Sequence, residues 1–197
     1  MTSLRHNGVA EPQSAYLDAA RACILDVGWR RTRLTEVARR AGVSRMTIYR
    51  TWSDMPAVLG DLMTREWVGI AAATQVAAAD TTTPAGIAEA ALATVRALRD
   101  NELFVRIVEL DPDLMLPYLL HRRGRSQEAL VEILAAEIAS GQVDGAIRAG
   151  DPVLMARSLT LAAHGFVFSA MTMTDDRIGL DDLDAEYARG VARALEP

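Results

Sequence analysis

Between residues 32 and 52 the chain reads Thr-Arg-Leu-Thr-Glu-Val-Ala-Arg-Arg-Ala-Gly-Val-Ser-Arg-Met-Thr-Ile-Tyr-Arg-Thr-Trp, a run that commits it to two short helices about a tight turn. Leu34, Val37, Ala38 and Ala41 recur at i, i+3, i+4 and i+7, which places them on one buried helical face. Gly42 follows where a helix closes with a left-handed residue, a conformation glycine adopts at little steric cost. Ser44 is suited to cap the next helix, because its hydroxyl can accept an otherwise unpaired backbone N–H. In that second helix Ile48 and Trp52 can face inward, which leaves Arg45, Thr47, Tyr49 and Arg50 on other faces. A short helix that exposes mostly hydrogen-bond donors can be offered to a DNA major groove.

Net charge agrees once it is divided. Residues 1–55 carry nine Arg and five acidic side chains (+4), and residues 56–197 carry twelve and twenty-one (−9), so an overall charge of −5 hides a basic end. A phosphate-facing tip on a body that repels nucleic acid is electrically coherent. All 21 basic residues are Arg, a uniformity to which no function attaches.

Half of the 197 residues are hydrophobic but only 5% are aromatic, which favours helix over sheet. No alternating apolar run marks a strand, and no internal repeat is visible. One cysteine, Cys23, rules out an internal disulfide and is too few for a zinc site; it reads as a small buried hydrophobe. The N-terminus lacks an apolar core before a cleavage site, so no secretion signal is visible. The longest stretch without Asp, Glu or Arg, Ser158 to Thr174, spans 17 residues, short of the ~20 that a membrane span needs. A soluble cytoplasmic chain with no membrane partner is the expectation.

The chain in order reads as all-α, with about nine helices. A polar N-terminal arm brings Arg5. The first helix, from about Ser14 to Val27, carries a stripe of Tyr16, Ala20, Cys23, Ile24 and Val27 and stops at Gly28. After the two helices described above, a fourth begins at the cap Asp54, tolerates Pro56 in its first turn and runs through Leu59, Met63 and Trp67 to about Ala79. Asp80-Thr-Thr-Thr-Pro84 is the clearest break. Further helices are expected over 84–99 and 102–110, a short piece to His121, then 126–140, 151–173 and 181–195. Asp111-Pro112-Asp113 forces a turn, and Gly141 to Gly150 makes a connection. The division expected is an arm and DNA-binding head over 1–53 and an effector-binding, dimerising body over 54–197.

Thr32, Leu34, Glu36, Val37, Ala38, Ala41-Gly-Val-Ser44, Thr47-Ile-Tyr49, Trp52 and Ala57-Val-Leu59 resemble the tetracycline-repressor-like (TetR) family of transcriptional regulators, a likeness covering residues 14–67. The resemblance implies a homodimer in which two heads enter successive major grooves and the last two helices of each subunit form a four-helix bundle. By position, Thr32 and Arg33 begin the second helix near the phosphates. Ser44, Arg45, Met46 and Thr47 reach the groove, and Tyr49 contacts the backbone, with Arg50 among the exposed donors. Two positions depart from the family pattern. Arg33 stands where the family usually has Thr, which leaves Thr32 to cap the second helix, and Met55 stands where it usually has a phosphate-seeking Lys.

Met63, Trp67, Phe104, Met115, Tyr118, Leu119, His164, Phe168 and Met171 are the candidates for a small-molecule cavity in the body, although each taken singly is ordinary core packing. His164 suits a hydrogen-bonded core or interface position. Arg122, Arg123 and Arg125 read as a solvated loop ahead of an anion site. Asp181, Asp182 and Asp184 suit a helix start, and no metal or cofactor is assigned. No nucleophile–base pair, metal set or phosphate-cradling glycine loop points to an enzyme. The reading is a repressor released from a palindromic DNA operator by a small, mostly apolar effector. The alternative is a helical adaptor whose helix-turn-helix has lost DNA, a reading that Met55 keeps open.

Overall fold

A computed structural model describes residues 12–197; Arg5 and the rest of the N-terminal arm lie outside the described residues. Helix α1 (Pro12–Val27) buries Leu17, Ala19, Ala20, Cys23 and Ile24. Val27, at the end of the helix, is exposed and drops out of the expected stripe, while Leu17 joins it. Helices α2 (Leu34–Arg40) and α3 (Arg45–Thr51) come next, with Gly42 between them at φ 69°. Asp54 caps α4 (Met55–Ala77), its carboxylate accepting the Ala57 N–H at 2.8 Å.

Beyond the break come α5 (Pro84–Arg99), α6 (Glu102–Leu110), α7 (Leu116–Leu120), α8 (Arg125–Val143), α9 (Pro152–Phe168) and α10 (Leu180–Leu195). Short 3-10 turns occupy Pro112–Leu114 and Ala170–Met173. The fold is all-α. Two boundaries differ from the sequence reading. Helix α8 runs on through Gly141, which is buried so tightly that a Cβ there would lie 2.2 Å from the Thr82 carbonyl oxygen. Helix α9 stops at Phe168 rather than Met173, and the 3-10 turn after it leaves Met171 and Met173 exposed.

Two apolar cores form. The first joins α1–α4 through Ile24, Val37, Ile48 and Leu62, and it takes in Leu103 and Ile107 of α6. The second packs α5, α8, α9 and α10 around Ile87, Val95, Ile138, Ala156 and Val191. Asp184 of α10 is buried within this layer and holds Arg96 Nε at 2.7 Å and Arg99 Nη2 at 2.6 Å, pinning α10 to α5. Asp111, also buried, ties the end of α6 to the corner between α1 and α2: it accepts the Trp29 N–H at 3.0 Å and pairs with Arg30 Nε at 2.9 Å. Among the described residues, no helix is long and apolar enough to cross a membrane.

Candidate functional site

Helix α3 is held from behind and left open in front. Ile48 is fully buried, and Trp52 stacks edge-on against Tyr16 while its Nε1–H donates to Asp61 Oδ2 at 2.6 Å. Ser44 caps the helix as expected, its hydroxyl accepting the Thr47 N–H at 3.1 Å, with the two hydroxyl groups 2.9 Å apart. Arg45, Met46, Tyr49 and Arg50 are all exposed, Met46 to 76%. A seven-residue helix with its rear face locked and its front face unoccupied is dimensioned for a groove.

The ion pairs sort the cations of this region. Arg39 is taken up by Glu36, Arg40 by Asp26, Arg21 by Glu66, and Arg30 by Asp111 and Asp113. Arg31, Arg33, Arg45 and Arg50 are exposed and form no salt bridge with another described residue. Of these four, Arg31 escapes the motif-based reading of the sequence, although the cation-rich run Arg30-Arg31-Thr32-Arg33 carries its signal. Thr32 needs correction. Its side chain is buried and its hydroxyl donates to the Gly28 carbonyl at 2.8 Å, so it neither caps α2 nor turns to a phosphate. The N-cap position falls on Arg33, which has no side-chain cap bond. Met55 packs partly buried against the first core, an apolar use of the position at which the family usually carries Lys.

A cavity of about 450 Å³ lies between α4, α5, α8 and α9. Met63, Trp67, Phe104, Met115, Tyr118, Leu119, His164 and Phe168 all line it, and Met171 does not. Trp67, Phe104, Phe168 and His164 form a ladder with centroid separations of 6.1, 5.2 and 6.4 Å. Burial lowers the His164 pKa, which favours the neutral ring, and its Nε2 lies 3.3 Å from the Gln127 amide nitrogen. The sequence reading missed Gln75, Thr94 and Glu137, which also line the cavity. Burial raises the Glu137 pKa against the opposing hydrogen bonds of Thr81 and Gln75. Its signal is an acid in register with Leu130, Ile133 and Leu134 on the apolar face of α8.

A locked helix-turn-helix with unpaired exposed arginines, joined to a helical body around an apolar cavity, defines a helix-turn-helix regulator. Residues 17–62 match the family described as bacterial regulatory proteins, tetR family. An uncharacterized HTH-type transcriptional regulator of Mycobacterium bovis is 33% identical over 164 residues, covering 83% of this chain and 84% of that protein. A counterpart from Mycobacterium tuberculosis is 32% identical over 164 residues, with the same coverage of 83% and 84%. The chain belongs to the TetR family of helix-turn-helix transcriptional regulators. The fold resembles that of the TetR-family transcriptional repressor QsdR of R. erythropolis, with a TM-score of 0.71, 14% identity, and coverage of 93% of this chain and 94% of that one. It also resembles a SmeT–triclosan complex, with a TM-score of 0.59, 20% identity, and coverage of 94% and 92%.

Proposed function

We propose that this regulator is a homodimeric repressor whose α3 helices read a palindromic operator and which a small, mostly apolar effector releases. The observation that carries the reading is α3 itself, with five exposed residues and an immobilised rear face. Arg33, Ser44, Arg45, Met46, Thr47, Tyr49 and Arg50 supply the DNA contacts, with Arg31 added. Residues 1–53 act as the reading head, and residues 54–197 bind the effector and dimerise.

Dimerisation through α9 and α10 is supported by an outward face of α9 carrying Leu154, Ser158, Leu161, Ala162 and Gly165, all exposed in the single subunit. Leu154 and Leu161 are 66% and 73% exposed, a large apolar area for one helix to leave in water. Small residues beside them permit close helix approach, since a Cβ at Gly165 would meet nothing. The cavity supports the effector role by its size, which falls within the roughly 300–1,000 Å³ of small-molecule sites.

The test is fluorescence anisotropy on DNA from upstream of the chain's own gene, titrated over salt. Expected is a specific complex whose log K falls steeply and linearly with log salt, because each neutralised phosphate releases counterions. A flat salt response overturns the reading. Sedimentation that finds single subunits at every concentration overturns the dimer.

A further inference from the structure

The charged groups of the cavity sit at its two ends, and the ends differ in sign. Arg122, Arg123 and Arg125 line the opening beside Tyr118, where the chain enters α8. Glu137 and Gln75 face the far end. From Arg125 to Glu137 the helix advances three turns, about 18 Å at its usual rise. The walls between carry no charged side chain: they are mostly apolar, such as Leu130, Leu134 and Val167, with Gln127, His164, Thr94 and Thr160 as uncharged polar groups among them. The space is elongated, greasy along its length, and cationic at one mouth.

The three arginines are unequally engaged. Arg125 Nη2 lies 2.6 Å from Asp61 Oδ1. Arg123 reaches Glu128 only at 4.0 Å. Arg122 has no carboxylate partner among the described residues and rests 5.1 Å from the centroid of the Tyr118 ring. Asp61 has a second task, because its other oxygen accepts the Trp52 Nε1–H at 2.6 Å, and Trp52 closes the reading helix. Arg125 also lies close over α4, where a Cβ on Gly60 would meet its Nη2 at 2.8 Å. A single carboxylate therefore links the mouth of the cavity to the end of α3.

We propose that the effector is an amphipathic monoanion, an unbranched apolar chain whose terminal carboxylate binds Arg122 and Arg125 and draws Arg125 away from Asp61. This inference rests on the effector-cavity reading above and names its ligand class. An incoming carboxylate competes with Asp61 for the same guanidinium, which Arg can serve in bidentate fashion. Released from Arg125, α4 loses this ionic tie to α8, and Asp61 retains its hydrogen bonds to Trp52 and Gln13 of the head. The far end accepts an uncharged chain terminus: a second carboxylate there faces Glu137, whose buried site already disfavours negative charge.

The test displaces the uncharged fluorophore N-phenyl-1-naphthylamine from the whole protein at pH 8. The competitors are dodecanoate, dodecan-1-ol and dodecanedioate. Dodecanoate is expected to bind about tenfold more tightly than dodecan-1-ol, the worth of roughly one charge-assisted hydrogen bond, and dodecanedioate more weakly than dodecanoate. Arg122→Ala and Arg125→Gln should each shrink the preference for dodecanoate over dodecan-1-ol, read as the ratio of the two affinities within each variant. Arg122 is exposed and pairs with no described acid, so its variant tests the idea even if Arg125→Gln fails to fold. If the fluorophore binds but the alcohol competes as well as the anion, the ligand class is overturned and the cavity reading stands. If neither the fluorophore nor any chain compound binds, the cavity reading falls and takes this inference with it.

Discussion

Thr32 and Arg45 each stand near the start of a head helix and do opposite work. The Thr32 hydroxyl is spent inside the head, on the Gly28 carbonyl at the α1–α2 corner. Thr32→Val keeps the shape and leaves that buried carbonyl short of a partner, so a loss of about 1 kcal/mol of stability is expected. Thermal unfolding measures it, and operator affinity of the folded protein should not change. Arg45 is exposed, next to the Ser44 cap, and unpaired with any described acid. Arg45→Ala is expected to weaken operator binding by on the order of 1–3 kcal/mol and to relax base preference at one position. Anisotropy on operator and scrambled duplexes decides it: an equal loss on both makes Arg45 a phosphate contact instead. The sequence treats the two residues alike because both carry donors near a helix start. What separates them is burial, and Thr32 is buried by a tertiary turn that no local pattern announces.

Single helices are legible in the sequence where their signals are local. Ser44 and Asp54 mark their helix starts because a capping hydroxyl or carboxylate acts within three residues. Gly42 marks the turn because its φ of 69° excludes most side chains. Helix ends set by distant neighbours are not legible. Helix α8 continues past Ser140 because Gly141 fits against Thr82, far earlier in the chain, and α9 ends at Phe168 without any proline or glycine to announce it. The cavity is more legible than its individual members, since apolar spacing gathers residues on one side even when their partners are unknown. Met171 falls outside it because α9 stops short.

At the same scale, the Asp184 clasp makes a pH-dependent prediction. Burial pushes its pKa up, but the hydrogen bonds from Arg99 and Arg96 outweigh this and hold it below the ordinary carboxylate value. A depressed folded pKa contributes stability that is complete above the unfolded value, about 4, and is lost as pH falls through the folded one. Asp184→Asn should therefore cost on the order of 3 kcal/mol at pH 7, because it leaves Arg99 buried without its counter-charge. The gap between variant and parent in urea unfolding should narrow below about pH 4. A gap that stays constant from pH 7 to pH 3 removes Asp184 as the ionised clasp of α10 on α5.

For the whole molecule to act as a switch, a change at the cavity must reach α3, and the packing offers a short route. Leu103 and Ile107 of α6 belong to the head's core, so α6 is packed as part of the head. Asp111, at the end of α6, grips the backbone of Trp29 and the guanidinium of Arg30, while Asp113 holds the other side of Arg30 at 2.8 Å. Four residues after Asp111, Met115 lines the cavity, with Tyr118 and Leu119 close behind. A ligand that shifts Met115 therefore pulls on a segment bonded to the α1–α2 corner. Asp111→Asn keeps an acceptor for the Trp29 N–H but removes the ionic grip on Arg30. Operator affinity without effector should change little, because Asp111 does not face DNA in this arrangement. The coupling between effector and operator, of order ~1–3 kcal/mol in such systems, should fall, and linkage requires it to fall equally in both directions. Effector titrations with and without operator, alongside operator titrations with and without effector, measure the same quantity twice. A variant that keeps full coupling in both routes the signal elsewhere, through α4, which belongs to the head's core, lines the cavity and is tied to α8 by the Asp61–Arg125 pair.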